Sequence, residues 1–178
     1  MRADLLDGSR ILIDLRAAGL LRAAGHSPTL VAQPPRLSFD LGDGAIDIPV
    51  EARFAVDAIV GPADIPQSDR DKMIEHLRGP DVLDVGRFPT VDLHARYAGS
   101  LNSGALSGDL VVLGVPRHVA VSVRIVREGD KLSVNGTWEG TLTDLGVKPF
   151  KALFGMLKLQ DWIRVRLDLQ FALLPTGR

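Results

Sequence analysis

Apolar residues recur at every second position over most of this chain, with glycine, proline and aspartate marking the breaks. In "SGDLVVLGVPRHVAVSV" (residues 107–123), Val119, Val121 and Val123 point one way and His118, Ala120, Ser122 and Arg124 the other. A strand with one dry and one wet face has this period of two. The same pattern makes strands of "RILIDLR" (Ile11, Ile13 and Leu15 on one face), "RLSFDL" (Leu37, Phe39, Leu41) and "EARFAVDAIV" (Phe54, Val56, Ala58). It continues in "TVDLHARYA" (Val91, Leu93, Ala95, Tyr97), "ALSGDLVVL", "HVAVSVRIV", "KLSVNGTWEGTL" and "DWIRVRLDLQFALL" (Ile163, Val165, Leu167, Leu169, Phe171). "GDG" at 42–44 reads as a hairpin turn, and Pro49 suits an edge strand or a bulge.

The period changes in three places. "SDRDKMIEHLRGPD" places Met73, Ile74 and Leu77 on one helical face, with a Ser68–Asp71 capping-box spacing before it and Gly79-Pro80 as the stop. "LLRAAG" (20–25) reads as a helical turn closed by Gly25. In "PFKALFGMLKL" (149–159), Phe150, Leu153, Phe154 and Leu157 recur at i, i+3, i+4 and i+7, which predicts a second amphipathic helix. Antiparallel strands with one or two short helices predict an all-β fold, a sandwich or an antiparallel barrel of about eight strands, as one domain over residues 1–178. A barrel of that size is either filled by its side chains or holds one small ligand.

Composition narrows the function classes. Lys plus Arg number 21 and Asp plus Glu 22, without the basic excess of a nucleic-acid partner. The absence of cysteine excludes disulfides, thiolate metal sites and a cysteine nucleophile. The first residues carry Asp4, Asp7, Arg10, Asp14 and Arg16 among their apolar positions, unlike a secretory signal, and no stretch approaches the length of a membrane span. The expectation is a cytoplasmic protein, or a periplasmic one if a leader has been trimmed. Aromatics make up only 5% of the chain, so branched aliphatics have to fill or line its interior.

Candidate chemistry is sparse. His26, His76, His94 and His118 show no metal-ligand spacing, and His94 and His118 fall on predicted polar faces. Arg70, Asp71, Arg78, Asp81 and Asp84 resemble an acid–base cluster but read better as loop-holding ion pairs. No nucleophile elbow, phosphate-binding loop or dinucleotide glycine pattern occurs. No metal or cofactor is expected.

Three blocks carry a family resemblance. Gly108, Asp109, Leu110, Gly114, Val115 and Val119, with Val112 and Arg117 as conservative replacements, resemble a signature of the YceI-like family. Arg70, Asp71, His76, Leu77, Arg78, Asp81, Asp84, Val85, Phe88, Pro89 and Thr90 match a second stretch, and Asp144, Gly146 and Val147 a third. Leu113, Pro116 and Leu142 stand where the family has His, Thr and Arg. The resemblance implies a lipocalin-like barrel binding a polyisoprenoid chain, such as a polyprenyl lipid or a quinone tail, in its lumen. With the alternation it yields a ligand-binding set: Phe54, Val56, Val91, Leu93, Leu110, Val112, Val119, Val121, Val134, Trp138, Val165 and Leu167 inside, and Phe150 and Phe154 on a lid helix. Lys148, Lys151 and Lys158 would then meet an anionic headgroup or touch a membrane in passing; as an ordinary capping helix, the same segment would carry solvated lysines. The expected activity is non-enzymatic binding, transport or storage of a long apolar lipid. Two alternatives stay open. One is a filled barrel acting as a protein-interaction or stress-related module, for example as a homodimer, with Trp138, Phe54 and Phe171 closing the lumen. The other is an enzyme on an isoprenoid lipid, or a cyclase-like barrel, which would need two convergent titratable groups inside.

Overall fold

The computed structural model describes residues 1–18, 27–42, 44–149, 151–152 and 157–175. Its strands are β1 (Arg2–Leu5), β2 (Arg10–Ala18), β3 (Thr29–Ala32), β4 (Ser38–Asp40), β5 (Ile46–Ala55) and β6 (Ile59–Val60), then β7 (Thr90–Gly99), β8 (Ser103–Val112), β9 (Val115–Glu128), β10 (Lys131–Gly140), β11 (Lys151–Ala152) and β12 (Leu157–Leu174). One α-helix, α1 (Gln67–Arg78), lies between β6 and β7.

All the strands belong to one twelve-stranded sheet, whose main path runs β5-β7-β8-β9-β10-β12-β2-β3-β6. Every pairing is antiparallel. The two ends of the path, β5 and β6, are successive stretches of the same segment, separated only by a 3-10 turn at Val56–Ala58. The sheet therefore curls until its edges meet in one piece of chain, giving the lipocalin-like all-β fold that the alternation predicts. The reading of 51–60 as one strand is corrected here: the chain turns at Val56, which is buried, and hands its pairing from β7 to β3. Pro49 lies in β5, an edge of the path, where its missing N–H interrupts no ladder.

β12 organises the other side. It is 18 residues long; Lys131–Gly140 pair along one edge, and both β2 and β1 pair along the other. The junction of β1 and β2 turns at Gly8 (φ 89°), and Ser9 is buried there. The Ser9 hydroxyl donates to Leu6 O (2.8 Å) and accepts from the Gln170 N–H (3.0 Å), substituting for ladder bonds that the break removes. Between Leu159 and Ile163 the register against β2 shifts. The bulge presents Trp162 with the Arg16 guanidinium stacked 3.7 Å from the ring centre.

Two helical expectations change. α1 starts at Gln67 with Pro66 before it and no side-chain cap, so Ser68 and Asp71 do not form the capping box; Pro66 supplies a helix start without a hydroxyl. In the expected helix over 149–159, Lys151–Ala152 instead form β11 and pair with Lys158 and Leu157 at the start of β12. Short apolar runs fit either period, and here an available strand partner decides. Phe150 and Phe154 lie outside the described residues, as do the helical turn read at 20–25 and His26.

The interior is apolar and the outside is laced with ion pairs between neighbouring strands. Arg53 grips both oxygens of Asp92 through Nε and Nη2, Arg10 meets Asp168, and Arg164 meets Glu139. The best-formed pair joins β12 to β2: Arg166 donates to both oxygens of Asp14 at 2.7 and 2.8 Å, and the Thr29 hydroxyl on β3 adds a third bond. Partial burial pushes the Asp14 carboxyl up, but the bonds from Arg166 and Thr29 outweigh it and hold it below the usual range. Gly108 marks a close approach. A Cβ there would lie 2.2 Å from His94 O and 2.4 Å from the Ala95 Cα, so β7 and β8 can cross tightly only without one.

Two outcomes follow. Gly108→Val should cost about 1–3 kcal/mol in urea unfolding by overpacking the β7–β8 crossing; a variant as stable as the parent would mean that the strands separate freely. Because Asp14 has a lower pKa folded than unfolded (about 3.9), its contribution is complete above about pH 4 and is lost as pH falls through the folded value. Asp14→Asn should flatten this acid limb of the stability profile. An unchanged limb would assign the loss to other carboxylates.

Candidate lipid-binding lumen

Alternation converts position along a strand into depth inside the curl. On β9, Val119 and Val121 line one cavity and Val123 and Ile125 a second. On β12, Ile163 and Val165 line the first and Leu169 and Phe171 the second. On β5 the direction is reversed, with Ile46, Ile48 and Val50 at the second cavity and Phe54 at the first. Leu106 and Leu167 line both. The interior thus holds two apolar chambers, of about 220 and 110 Å³, with Leu106 and Leu167 as the waist between them.

Gly136 leaves room beside that waist. It pairs with Leu167 on one side and Val123 on the other. A Cβ on it would lie 2.9 Å from Val121 and 3.5 Å from Leu167. The larger chamber is capped by Leu77 of α1, by Leu83 in the loop after it, and by Leu142, Leu145 and Val147 around a 3-10 turn at Thr143–Leu145. The smaller one ends at Ala3 of β1, at Leu37, Phe39 and Leu41, and at Leu101 in the β7–β8 turn.

The lining is almost free of polar groups. Among the described residues Tyr97 is its one titratable member; burial raises its pKa, and its hydroxyl donates to Ser100 O at 2.6 Å. Water in such a space finds too few partners, whereas a hydrocarbon chain loses nothing by entering. Each methylene moved from water into it is worth about 0.8 kcal/mol.

Of the residues read as lumen positions, Phe54, Val56, Val91, Leu93, Leu110, Val112, Val119, Val121, Trp138, Val165 and Leu167 line the larger chamber, and Val134 the smaller. Phe150 and Phe154 lie outside the described residues. Strand alternation could not locate the cap at Leu77, Leu83, Leu142, Leu145 and Val147. The only sequence trace of that cap is the helical face of Met73, Ile74 and Leu77 and the third motif block.

The polar candidates lie elsewhere. His94 bonds Glu51, and His118 sits 3.4 Å from Asp109, both on the outer surface. Arg78 reaches Asp57 O at 2.7 Å, tying the end of α1 to the 3-10 turn at the sheet's seam. Arg70 donates to Ile65 O at 3.3 Å, and Arg87 pairs with Asp84. Among the described residues no three His, Asp or Glu side chains come together as metal ligands, and no helix is long and apolar enough to cross a membrane.

The motif blocks meet in this architecture, and the model of the YceI-like domain matches residues 23–171. The chain belongs to the YceI-like family. Among solved structures, it is similar to BcnA of Burkholderia cenocepacia (15% identity, TM-score 0.64), over 91% of this chain and 95% of that one. It is also similar to the YCEI protein of Campylobacter jejuni (11% identity, TM-score 0.53), over 75% of this chain and 83% of that one. A mutant CJ YCEI protein with a monobromobimane guest gives 10% identity and a TM-score of 0.55 over the same shares. At these identities the likeness is one of fold. No curated protein matches the sequence significantly.

Proposed function

We propose that this YceI-like protein is a non-enzymatic carrier or store for a long apolar lipid of the isoprenoid class, a polyprenyl or quinone-type chain, held along the lumen. The observation that carries the reading is the tandem of apolar chambers that share Leu106 and Leu167 as lining, an arrangement that suits an extended chain better than a compact ligand. Specificity in such a site is concentrated at the polar end of the ligand, since methylenes distinguish little beyond length. Family membership supports the lipid class. The lining favours binding over catalysis, because among the described residues Tyr97 alone offers a titratable group and its hydroxyl is already engaged. A filled interaction module is the second reading; Phe54, Trp138 and Phe171 would have to close the lumen, and here they line it. We place the carrier in the cytoplasm.

Mass spectrometry of an organic extract of the purified protein, beside native mass spectrometry of the intact sample, should show a stoichiometric long-chain lipid. Protein that is empty, and that also fails to take up added polyprenols or quinones, would overturn the proposal in favour of the interaction module. Leu106→Trp should fill the waist and shorten the longest prenyl alcohol that displaces an apolar fluorescent dye. An unchanged length limit would mean that the chain does not pass between the chambers.

A further inference from the structure

Arg117 breaks the apolar series that lines the lumen. It lies on β9 two positions before Val119, on the same face as Val119 and Val121, and its register partner on β8 is Leu110, another lining residue. The side chain runs over the capped end of the larger chamber to the 3-10 turn: its Nη2 lies 2.9 Å, and its Cζ 3.6 Å, from where a Cβ on Gly146 would stand. Gly146 has φ 75°, so the turn needs a glycine there for its backbone, and the missing side chain leaves the guanidinium its place.

This guanidinium has no counter-ion among the described residues. Its Nε is buried and makes no hydrogen bond. Arg70 and Arg78 also bury an Nε, but each delivers its Nη2 to a backbone carbonyl, Ile65 O and Asp57 O. Asp144, Asp161 and Asp109 bond other groups: Asp144 accepts the Thr141 N–H, Asp161 accepts the Thr143 N–H and hydroxyl, and Asp109 faces His118. A partly buried guanidinium without a partner is costly. An anion completing it would recover that cost through paired, charge-assisted bonds.

We propose that Arg117 is the headgroup site of the lumen, binding a phosphate or carboxylate at the polar end of the chain. This rests on the lumen reading above and deepens it. The ligand is an anionic lipid whose tail passes Leu110 and Val119 toward the waist and whose oxyanion stops at the rim beside Gly146. Methionine at 117 keeps the apolar stem and removes the charge; lysine keeps the charge as a point but loses the fork.

The test compares farnesyl phosphate with farnesol by calorimetric titration of the full chain, as wild type, Arg117→Met and Arg117→Lys, with inorganic phosphate alone as a further ligand. Wild type should prefer the phosphate by about tenfold or more. Arg117→Met should lose that preference and keep its farnesol affinity, which also shows that the variant is folded. Arg117→Lys should retain part of the preference. Equal binding of both lipids by wild type, an undiminished preference in Arg117→Met, or inorganic phosphate binding as well as the lipid would overturn the headgroup assignment while leaving the lumen reading in place. Failure of both lipids to bind would overturn the lumen reading, and this one with it.

Discussion

A sheet with one apolar face has to remove that face from water, and this chain has only one α-helix among its described residues to cover it. With no second layer, the sheet covers itself. The curl follows: strands pair antiparallel in near-sequential order, β12 carries two short strands along one edge, and the edges meet where Val56–Ala58 turns β5 into β6. The places where regular pairing fails, at Ser9, at Val56 and between Leu159 and Ile163, are where a strand is broken or bulged as the sheet bends. Polar groups at the breaks are met locally, as the Ser9 hydroxyl shows.

Self-coverage leaves a second consequence. Inward positions are mostly Val, Leu, Ile and Ala, which are too short to meet across the curl everywhere. Gly136 widens the middle, where a side chain would press on Val121 and Leu167. Two chambers remain, and their walls offer shape and apolar surface but almost no chemistry. Arg117 and the 142–147 segment lie together at the capped end of the larger chamber.

The motif residues acquire separate physical roles in this frame. Gly108 permits the tight crossing of β7 and β8, Gly146 supplies a left-handed turn against Arg117, and Arg78 ties α1 to the seam. Of the Arg–Asp group read from the sequence as loop-holding, Arg70, Arg78 and Asp84 fasten loop and helix ends. The histidines at 94 and 118 pair with carboxylates on the outer surface. Low identity to BcnA and to the Campylobacter protein, with the curl retained, fits a fold that depends on side-chain alternation and a few glycines more than on particular residues.

The sequence by itself determined the longer strands, the face they turn inward and the near absence of catalytic groups on that face, whereas the short strands β1, β3 and β11 leave no such local pattern. Period two is a local property, and a residue such as Val119 or Leu167 carries its orientation in its nearest neighbours. Only the tertiary structure decided what lies across the lumen. The cap from α1 and residues 142–147, the waist at Leu106 and Leu167, and the meeting of Arg117 with Gly146 all join residues far apart in the chain. The segment at 149–159 shows the limit of local reading: its helical spacing is real, yet Lys151 and Ala152 pair with the start of β12. A strand partner, unlike a period, can be supplied only by the rest of the fold.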